Sequence, residues 1–327
     1  MTTVAAIDCG TNSARLLIAP VEGNRLGAPI AREMTITRLG QGVDKTGQLH
    51  PDALERTRVA MRGYADQISD AGVDAVRVVA TSASRDASNA QDFVDLVTDI
   101  IGVAPEVVSG EEEATLSFQG ALAGLGDDVD KPVLLVDIGG GSTEFVRGTD
   151  DVAAAYSTNM GSVRVFERFF ADVPSEDGSM DPRTPALARA IRDAVAFIDS
   201  QIDLADSHVE FSAARTLVGV AGTVTTVTAH ALGLDAYDPD AIDGANLPVT
   251  TIYRSCNWMQ MATVAERRAL GFMPAGRADV IGAGALVWQR IIERMGQAQL
   301  ERSRNLDRIL TVEHDILDGI ALSLIDR

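Results

Sequence analysis

Residues 4–19 read VAAIDCGTNSARLLIA, and residues 133–148 read VLLVDIGGGSTEFVRG. In each stretch an apolar run leads into an aspartate, then into a turn of small residues, and then into a second apolar run. Asp8 and Asp137 are the two aspartates. The chain therefore carries one strand–turn–strand motif twice, which predicts two related β-hairpins.

Both turns have the composition of a phosphate-binding loop. Small residues leave backbone N–H groups open to close approach by phosphate oxygens. A carboxylate at the end of the first strand, such as Asp8, can hold a hydrated divalent cation beside those oxygens. Glu144 in the second copy stands where Arg15 stands in the first. The candidate phosphate-binding residues of the two hairpins are Gly10, Thr11, Asn12, Ser13, Arg15, Gly139, Gly140, Gly141, Ser142 and Thr143.

The first turn, taken alone, could be an ordinary tight hairpin, since Asn and Gly are common in such turns. The presence of a second copy favours the phosphate-binding interpretation. In that copy no Lys follows the three glycines, and no GK[ST] occurs in the chain, so the turn is not a P-loop. The GxGxxG spacing of a dinucleotide-binding loop is also missing.

The composition excludes some classes of protein. The chain has 327 residues, of which 46% are hydrophobic, enough for one large or two medium domains. Its net charge is −19 and it contains only two lysines, Lys45 and Lys131. General binding to nucleic acid or to an anionic membrane needs a basic surface and is not expected. An anionic substrate must be met locally by arginines, backbone amides and a metal ion.

The cysteines and apolar segments bear on the compartment. Cys9 and Cys256 form neither a disulfide framework nor a zinc pattern. The sequence shows no signal peptide and no long apolar span, so we expect a cytoplasmic protein.

Strands and helices are expected to alternate, as in an α/β fold with helices packed on a sheet. The duplicated hairpin predicts two similar domains separated by a cleft, and ligands commonly bind in such clefts. The stretch 124–132 is interpreted as a hinge. Strands are expected at 29–38, 76–81 and 105–110, helices at 50–72, 89–102 and 111–126, a helix after Pro185, a strand, turn and helix over 216–232, a loop over 235–250, helices to 299, and a strand followed by a helix over 308–325.

Two polar stretches hold further candidates. SGEEEA (109–114) begins a helix, where acidic residues are favoured by the helix dipole, and that explanation suffices for the first two glutamates. If the helix start faces a ligand, Glu113 could orient and deprotonate an attacking water. TSASRDASN (81–89) places Arg85 after a buried strand, where it could bind two phosphate oxygens or instead pair on the surface with a nearby aspartate.

VGVAGT (218–223) is a small-residue turn between a strand and a helix. The amides of Gly222 and Thr223 could hold a nucleotide or a distal phosphate at the helix N-terminus. Close packing of strand and helix would explain the same residues equally well.

The two hairpins resemble the phosphate motifs of the actin, chaperone-ATPase and sugar-kinase superfamily. The finer pattern resembles the exopolyphosphatase/guanosine pentaphosphate phosphohydrolase (Ppx/GppA) family, short two-domain type. The matching pieces lie in the family's order along nearly the whole chain. They are AIDCGTNSARLLIA, TSASRDASN, VVSGEEEATLSFQGAL, LLVDIGGGSTEFV, NMGSVRVFERF, VGVAGTVTTVTA and RADVIGAGALV.

The resemblance implies two ribonuclease-H-like (actin-like ATPase) domains. We expect the first to cover 1–125 with a closing C-terminal helix over 312–327, and the second to cover 126–311. In the family the glutamate before Ala in S-G-x-E-E-A is the catalytic base, which corresponds to Glu113. The Asp and Glu of D-I-G-G-G-S-T-E bind magnesium or its waters, and they correspond to Asp137 and Glu144. Arg85 corresponds to a phosphate contact.

The expected activity is magnesium-dependent hydrolysis of the terminal phosphoanhydride of inorganic polyphosphate. A guanosine pentaphosphate (pppGpp) phosphohydrolase would use the same residues. A kinase of the superfamily and a non-catalytic polyphosphate or nucleotide sensor are two further hypotheses. Asp8 is expected near the metal, and a homodimer is expected from the family. The family often has S-x-x-G-L-R-[DE]-G near its end, whereas this chain has VEHDILDGIA without the basic residue, so no phosphate contact is assigned there.

Overall fold

The computed structural model describes residues 2–126, 129–173, 175 and 177–325. The chain divides into two compact units. Unit 1 contains Met1–Ala123 and His314–Arg327, and unit 2 contains Gly124–Glu313. Residues 127 and 128 of the expected hinge, and the last two residues of the expected closing helix, lie outside the described residues.

Strands and helices alternate along most of the chain, as the sequence predicts. In chain order the elements are β1 (Thr3–Cys9), β2 (Ser13–Glu22), β3 (Arg25–Leu26), β4 (Ala31–Ile36), α1 (Val43–Thr46), α2 (Pro51–Asp70), β5 (Ala75–Ala80), α3 (Ser82–Asp86), α4 (Ala90–Ile101), β6 (Glu106–Val107), α5 (Gly110–Gly124), β7 (Val133–Ile138), β8 (Thr143–Gly148), β9 (Val152–Thr158), α6 (Ser162–Phe169), α7 (Pro185–Val209), β10 (Thr216–Val220), α8 (Ala221–Leu232), α9 (Pro239–Ile242), β11 (Ala245–Pro248), α10 (Val249–Met261), α11 (Val264–Arg268), α12 (Ile281–Glu301), β12 (Arg308–Thr311) and α13 (Ile316–Leu322).

Each unit contains a sheet with the same central order. In unit 1 the order is β4-β2-β1-β5-β6, with β3 also beside β2. In unit 2 it is β9-β8-β7-β10-β12, with β11 outside β12. Strand β1 is antiparallel to β2 and parallel to β5, and in the same way β7 is antiparallel to β8 and parallel to β10. The duplicated hairpins of the sequence are β1–β2 and β7–β8.

Side chains of β1 alternate between the two faces of the first sheet. Ala5 and Ile7 pack in the cluster that contains residues of α2 and α4. Val4 and Ala6 pack in the cluster that contains residues of α5 and α13. Because strand residues alternate with a period of two, Asp8 falls on the face covered by α5 and α13.

The core of unit 2 is one large apolar cluster beside its sheet. Leu134, Val136 and Ile138 of β7 contribute to it, and Trp288 of α12 is fully buried within it. Asp137 lies between two of these core positions on the strand, so its side chain is directed to the opposite face.

Several expected boundaries were wrong. The strand expected over 105–110 is only Glu106–Val107, because α5 begins at once and the Glu113 amide donates to the Ser109 carbonyl. The expected loop over 235–250 contains α9 and the edge strand β11, which pairs with β12. The alanine-rich strand β9 and the short helix α6 were not predicted. No helix in the described part of the chain has the length and apolarity needed to cross a membrane.

Helices α5 and α13 approach each other through glycine. A Cβ added to Gly120 would lie 1.8 Å from the Asp315 carbonyl oxygen, and one added to Gly319 would lie 2.0 Å from the Leu116 carbonyl oxygen. These obstacles are backbone atoms, which cannot rotate away. Only glycine permits this spacing.

We therefore expect Gly120→Ala to destabilise the protein by at least about 1–3 kcal/mol through overpacking. Gly63→Ala in α2 is the matched control, because an added Cβ there meets nothing within 4 Å. Gly63→Ala should raise the free energy of unfolding by about 0.5–1 kcal/mol. Urea unfolding measures both changes, and equal stability of the two variants would contradict the described packing.

Candidate active site

The two hairpins have the same local geometry. The Gly10 amide donates to the Ser13 carbonyl at 2.9 Å, and the Gly139 amide donates to the Ser142 carbonyl at 3.1 Å. A Cβ on either glycine would lie 3.2 Å from the same serine oxygen. The repeated motif of the sequence is therefore repeated in the backbone.

The tip of each hairpin presents unused amides. Among the described residues, the N–H groups of Thr11 and Asn12 in the first turn donate no hydrogen bond. The same holds for Gly140 and Gly141 at the equivalent positions of the second turn. Neighbouring amides of this kind are suited to binding an anion.

The carbonyl oxygens of the first turn accept hydrogen bonds from backbone amides of a later segment, and these bonds fix the turn. The Thr37 amide donates to the Asn12 carbonyl at 3.1 Å, and the Gly40 amide donates to the Thr11 carbonyl at 2.9 Å. The hydroxyls of Thr11 and Ser82 share a hydrogen bond of 2.8 Å. The hydroxyl of Thr11 therefore has a protein partner, while the amide of the same residue does not.

The second turn is fixed by the start of α6. The amides of Ser162 and Val163 donate to the carbonyls of Gly139 and Gly140 at 3.0 and 2.8 Å. A Cβ added to Gly161 would lie 2.4 Å from the Gly140 carbonyl oxygen. Glycine at 161 thus allows the helix to dock on the turn, a role that was not predicted from the sequence.

Two carboxylates lie side by side behind the second turn. Asp137 and Glu144 are directly opposite each other in the β7–β8 ladder and are 6% and 1% exposed. Opposite residues of an antiparallel pair share one face of the sheet. The Ser157 hydroxyl donates to Glu144 Oε1 at 2.7 Å. Two buried carboxylates at this spacing favour a bound cation or a shared proton.

Two polar residues of the second hairpin are turned inward. The hydroxyl of Thr143 donates to the Met160 carbonyl. Ser142 is 2% exposed. Their assignment to phosphate binding remains a prediction.

In the first hairpin an arginine faces the aspartate instead. Arg15 is opposite Asp8 in the ladder and donates to its Oδ2 from Nε at 3.0 Å and from Nη2 at 2.7 Å. The third nitrogen, Nη1, donates to Asp315. Burial raises the pKa of Asp8, and the charge of Arg15 opposes that rise. The guanidinium predicted to bind phosphate thus binds two carboxylates in this structure.

Unpaired buried oxygens occur around this hairpin. Among the described residues, Asp8 Oδ1, Asn12 Oδ1 and Ser84 Oγ are buried without a hydrogen-bond partner. Asp8 and Asn12 belong to the hairpin, and Ser84 lies in α3, after the neighbouring strand β5. Buried polar atoms without partners are rare and indicate a site for water, an ion or a ligand.

Glu113 and Arg85 form an ion pair. Glu113 lies in the first turn of α5 and is 7% exposed. Arg85 Nη1 donates to Glu113 Oε2 at 2.7 Å and to the Val108 carbonyl at 2.9 Å. Within the described residues, Nε and Nη2 of Arg85 donate no hydrogen bond. The alternative of a surface pair between Arg85 and a nearby aspartate is wrong.

The remaining two glutamates of this turn differ from Glu113 in their surroundings. Glu112 pairs with Arg77 at 2.9 Å, and Glu111 is exposed. Arg77 also binds Glu106 at 2.6 Å. These contacts agree with the interpretation of Glu111 and Glu112 as helix-start residues.

The turn between β10 and α8 contains a strained alanine and is covered by Arg277, which precedes α12. Ala221 has φ 67°, a left-handed conformation that costs a residue with a Cβ about 1–2 kcal/mol. Arg277 covers Gly222, where an added Cβ would lie 2.3 Å from Nη2. Its Nη1 donates to the Thr226 hydroxyl at 2.8 Å. Thr223 is 4% exposed.

Arg277 was not among the residues predicted from the sequence, although it begins the stretch RADVIGAGALV. The signal that could have found it is the single basic residue of a segment that is otherwise apolar and glycine-rich except for Asp279. Its guanidinium brings positive charge to the first turn of α8, beside the amides of Gly222 and Thr223.

The residues fit a hard divalent cation held by few protein ligands. In the part of the chain that the structure describes, no three His, Cys, Asp or Glu side chains are grouped so as to hold a metal. In unit 2 the candidate donors are the buried neighbours Asp137 and Glu144, and in unit 1 the candidate is Asp8, whose Oδ1 is buried without a partner among the described residues. Mg²⁺ is commonly held by one or two carboxylates, waters and substrate phosphates, which suits this donor set.

Removing the strain at position 221 should stabilise the protein. Ala221→Gly should raise the free energy of unfolding by about 0.5–1 kcal/mol, after subtraction of the entropy cost of glycine. Ala231→Gly, later in the same helix, should instead lower it by about 1 kcal/mol. Thermal unfolding of both variants measures this, and a loss of stability in Ala221→Gly would contradict the left-handed conformation.

Comparisons with known proteins extend these observations. The sequence profile of the Ppx/GppA phosphatase family matches residues 18–322. The chain is 42% identical over 337 residues to Exopolyphosphatase 2 of Mycobacterium tuberculosis, covering 99% of each chain.

Solved structures of similar proteins agree with this family assignment. A crystal structure of an exopolyphosphatase-like protein superposes with a TM-score of 0.91 at 43% identity, covering 99% of this chain and 97% of the other. The structure of the Aquifex aeolicus Ppx/GppA enzyme superposes with a TM-score of 0.76 at 28% identity, covering 98% and 99%. The expected family is confirmed, and so is an α/β fold with two sheets that matches the Ppx/GppA structures.

Proposed function

This chain belongs to the Ppx/GppA phosphatase family, and we propose that it is an exopolyphosphatase that hydrolyses the terminal phosphoanhydride of inorganic polyphosphate and releases orthophosphate. The observation that carries the proposal is the ion pair of Glu113 with Arg85 at the start of α5. A protein that only bound polyphosphate would need no buried carboxylate beside the phosphate-binding arginine.

Glu113 is the proposed general base. Its carboxylate would accept a proton from the attacking water and orient that water toward the terminal phosphorus. Phosphoryl transfer requires mainly positioning and charge stabilisation, so the protein needs no covalent nucleophile. The hydrogen bond from Arg85 Nη1 fixes the position of the carboxylate before substrate arrives.

Arg85 can serve the base and the substrate together. Its Nη1 makes both bonds to the protein, to Glu113 and to Val108. Nε and Nη2 are then available to bind oxygens of the terminal phosphate, in the fork geometry that guanidinium groups use for phosphate.

The hairpin tips supply neutral donors for the phosphate oxygens. We assign this role to the amides of Thr11 and Asn12 and to those of Gly140 and Gly141. Such donors cost no reorganisation during the reaction, because the carbonyls of the same turns hold the backbone in place. Gly10, Ser13, Gly139, Ser142 and Thr143 shape the two turns, and Gly222 and Thr223 are proposed to bind a more distant phosphate.

Asp137 and Glu144 would hold Mg²⁺ directly or through water, with Asp8 as the third candidate. Bound there, the ion would supply positive charge to the phosphate oxygens of the substrate. This role accounts for two buried carboxylates that face each other in the β7–β8 ladder.

Replacing the base tests the mechanism. Glu113→Gln should lower kcat by about 100–10,000-fold, because the amide cannot accept the proton. Binding of polyphosphate, measured by calorimetry, should persist. Glu111→Gln is the matched control, since Glu111 is exposed in the same helical turn, and its activity should be near normal. Near-normal turnover in Glu113→Gln would refute the assignment.

Removing the metal or its ligands tests the proposed cofactor. Chelation should abolish phosphate release, and Mg²⁺ should restore it. Asp137→Asn and Glu144→Gln should weaken Mn²⁺ binding, measured by calorimetry on the metal-free protein, because each removes a negative charge. Asp150→Asn should leave binding unchanged, because that side chain is 85% exposed and pairs with Lys131. Unchanged binding in both Asp137→Asn and Glu144→Gln would contradict the site.

Measuring phosphate release from polyphosphates of several lengths, from pppGpp and from ATP identifies the substrate. Release from polyphosphate supports the proposal, whereas release confined to pppGpp would identify the guanosine pentaphosphate phosphohydrolase instead. Transfer from ATP to an acceptor would indicate a kinase, and tight binding without release would indicate a sensor. The homodimer and the cytoplasmic location are further proposals, which light scattering and cell fractionation test.

A further inference from the structure

Arg15 joins the first hairpin to the C-terminal segment of unit 1. Nε and Nη2 donate to Asp8 Oδ2, and Nη1 donates to Asp315 Oδ2 at 2.5 Å. All three guanidinium nitrogens therefore contact carboxylates. An arginine held in this way has no pair of guanidinium nitrogens left to bind two phosphate oxygens.

Asp315 is itself firmly held. It is 2% exposed and precedes the first residue of α13, where its Oδ1 accepts from the Leu317 amide at 3.1 Å. Its own amide donates to Asp318 Oδ2 at 3.2 Å. The close contact between Gly120 and the Asp315 carbonyl holds this backbone against α5. The side chain that meets Arg15 is thus fixed by the fold.

A second ion pair anchors the same helix without touching the hairpin aspartate. Asp318 accepts hydrogen bonds from Arg32 of β4 and from His314. Within the described residues, Asp318 makes no hydrogen bond to Asp8 or Arg15. Asp315, the N-cap of α13, and Asp318 in its first turn offer a matched pair. Both are buried and both belong to the capping box, but among the described residues only Asp315 contacts Arg15.

The hydrogen bonds from Arg15 determine which carboxylate oxygen of Asp8 can contact a cation or a water. Oδ2 accepts two bonds from Arg15, whereas Oδ1 is buried with no partner among the described residues. If Arg15 were free of Asp315, it could rotate around Asp8 or turn to a substrate phosphate. Because Asp315 holds the far nitrogen, the guanidinium keeps one orientation and so does the carboxylate it binds.

We propose that Asp315 is a positioning residue that acts through Arg15 to hold Asp8 with Oδ1 directed to a hydrated cation. The C-terminal segment from residue 314 is then part of the catalytic apparatus of unit 1. The inference rests on the proposed function in taking Asp8 as a contact of the metal or its water. It replaces the prediction that Arg15 is a phosphate ligand.

The test compares Asp315→Asn with Asp318→Asn in the full-length chain. Asparagine keeps an oxygen for the helix cap and removes the charge that holds the arginine. Asp315→Asn should lower kcat on polyphosphate and weaken Mn²⁺ binding to the metal-free protein, each by about 10–100-fold, as for residues in general that orient a metal ligand. KM for polyphosphate should not rise. Asp318→Asn should lower the melting temperature and leave Mn²⁺ binding unchanged.

A double-mutant cycle with Arg15→Gln tests the route of the effect. Once Arg15 is absent, Asp315→Asn should have little further effect on kcat or Mn²⁺ binding, because the two residues act as one unit. Additive effects would overturn the proposal. If Asp315→Asn folds poorly, Arg15→Lys is the second variant. Lysine keeps the positive charge but cannot donate hydrogen bonds to Asp8 from two nitrogens.

Several results would overturn the proposal. Unchanged kcat and Mn²⁺ affinity in folded Asp315→Asn would do so. A raised KM with unchanged kcat would do so as well, because Arg15 would then be a substrate ligand oriented by Asp315. If the wild-type chain releases no phosphate from polyphosphate, the proposed function fails, while the Mn²⁺ measurements on the variants still decide this inference.

Discussion

The ion pair between Arg85 and Glu113 depends on a simple property of the first sheet. Strands β5 and β6 are parallel neighbours, so the segments that follow their carboxyl ends meet at one edge. The segment after β5 supplies Arg85, and the segment after β6 supplies Glu113. A buried carboxylate needs a counter-charge, and this arginine provides it at 2.7 Å. In the proposed mechanism, this contact positions the general base and leaves Nε and Nη2 of Arg85 for the substrate.

The duplicated hairpins show how one backbone motif serves two electrostatic purposes. Both turns present a pair of unused amides at the tip. They differ at the residue opposite the aspartate, which is Arg15 in β2 and Glu144 in β8. The first aspartate faces an arginine across the ladder, whereas the second faces another buried carboxylate, and two neighbouring carboxylates are the kind of oxygen donors that a hard cation prefers. In a chain with a net charge of −19, the proposed cation and the amides at the hairpin tips are the local groups that would attract an anionic substrate.

The sequence predicted the repeated hairpins and the alternation of strands and helices, because both follow from short-range patterns. The sequence could not decide whether Arg85 binds phosphate or pairs with a nearby aspartate. Its partner in the protein is Glu113, 28 residues further along the chain, and this contact depends on how the two segments fold together. Arg15 shows a contact that no short-range pattern could predict. Its place in the motif suggested phosphate, but its partner Asp315 lies 300 residues away in the chain. Gly161 and Arg277 were missed because their roles depend on contacts that only the folded backbone creates.

The most direct test of the proposed mechanism is a crystal structure of Glu113→Gln with a bound, uncleaved polyphosphate. The mechanism predicts that Nε or Nη2 of Arg85 contacts the terminal phosphate and that hairpin-tip amides donate to its oxygens. A terminal phosphate bound away from Arg85 and from both hairpin tips would contradict it.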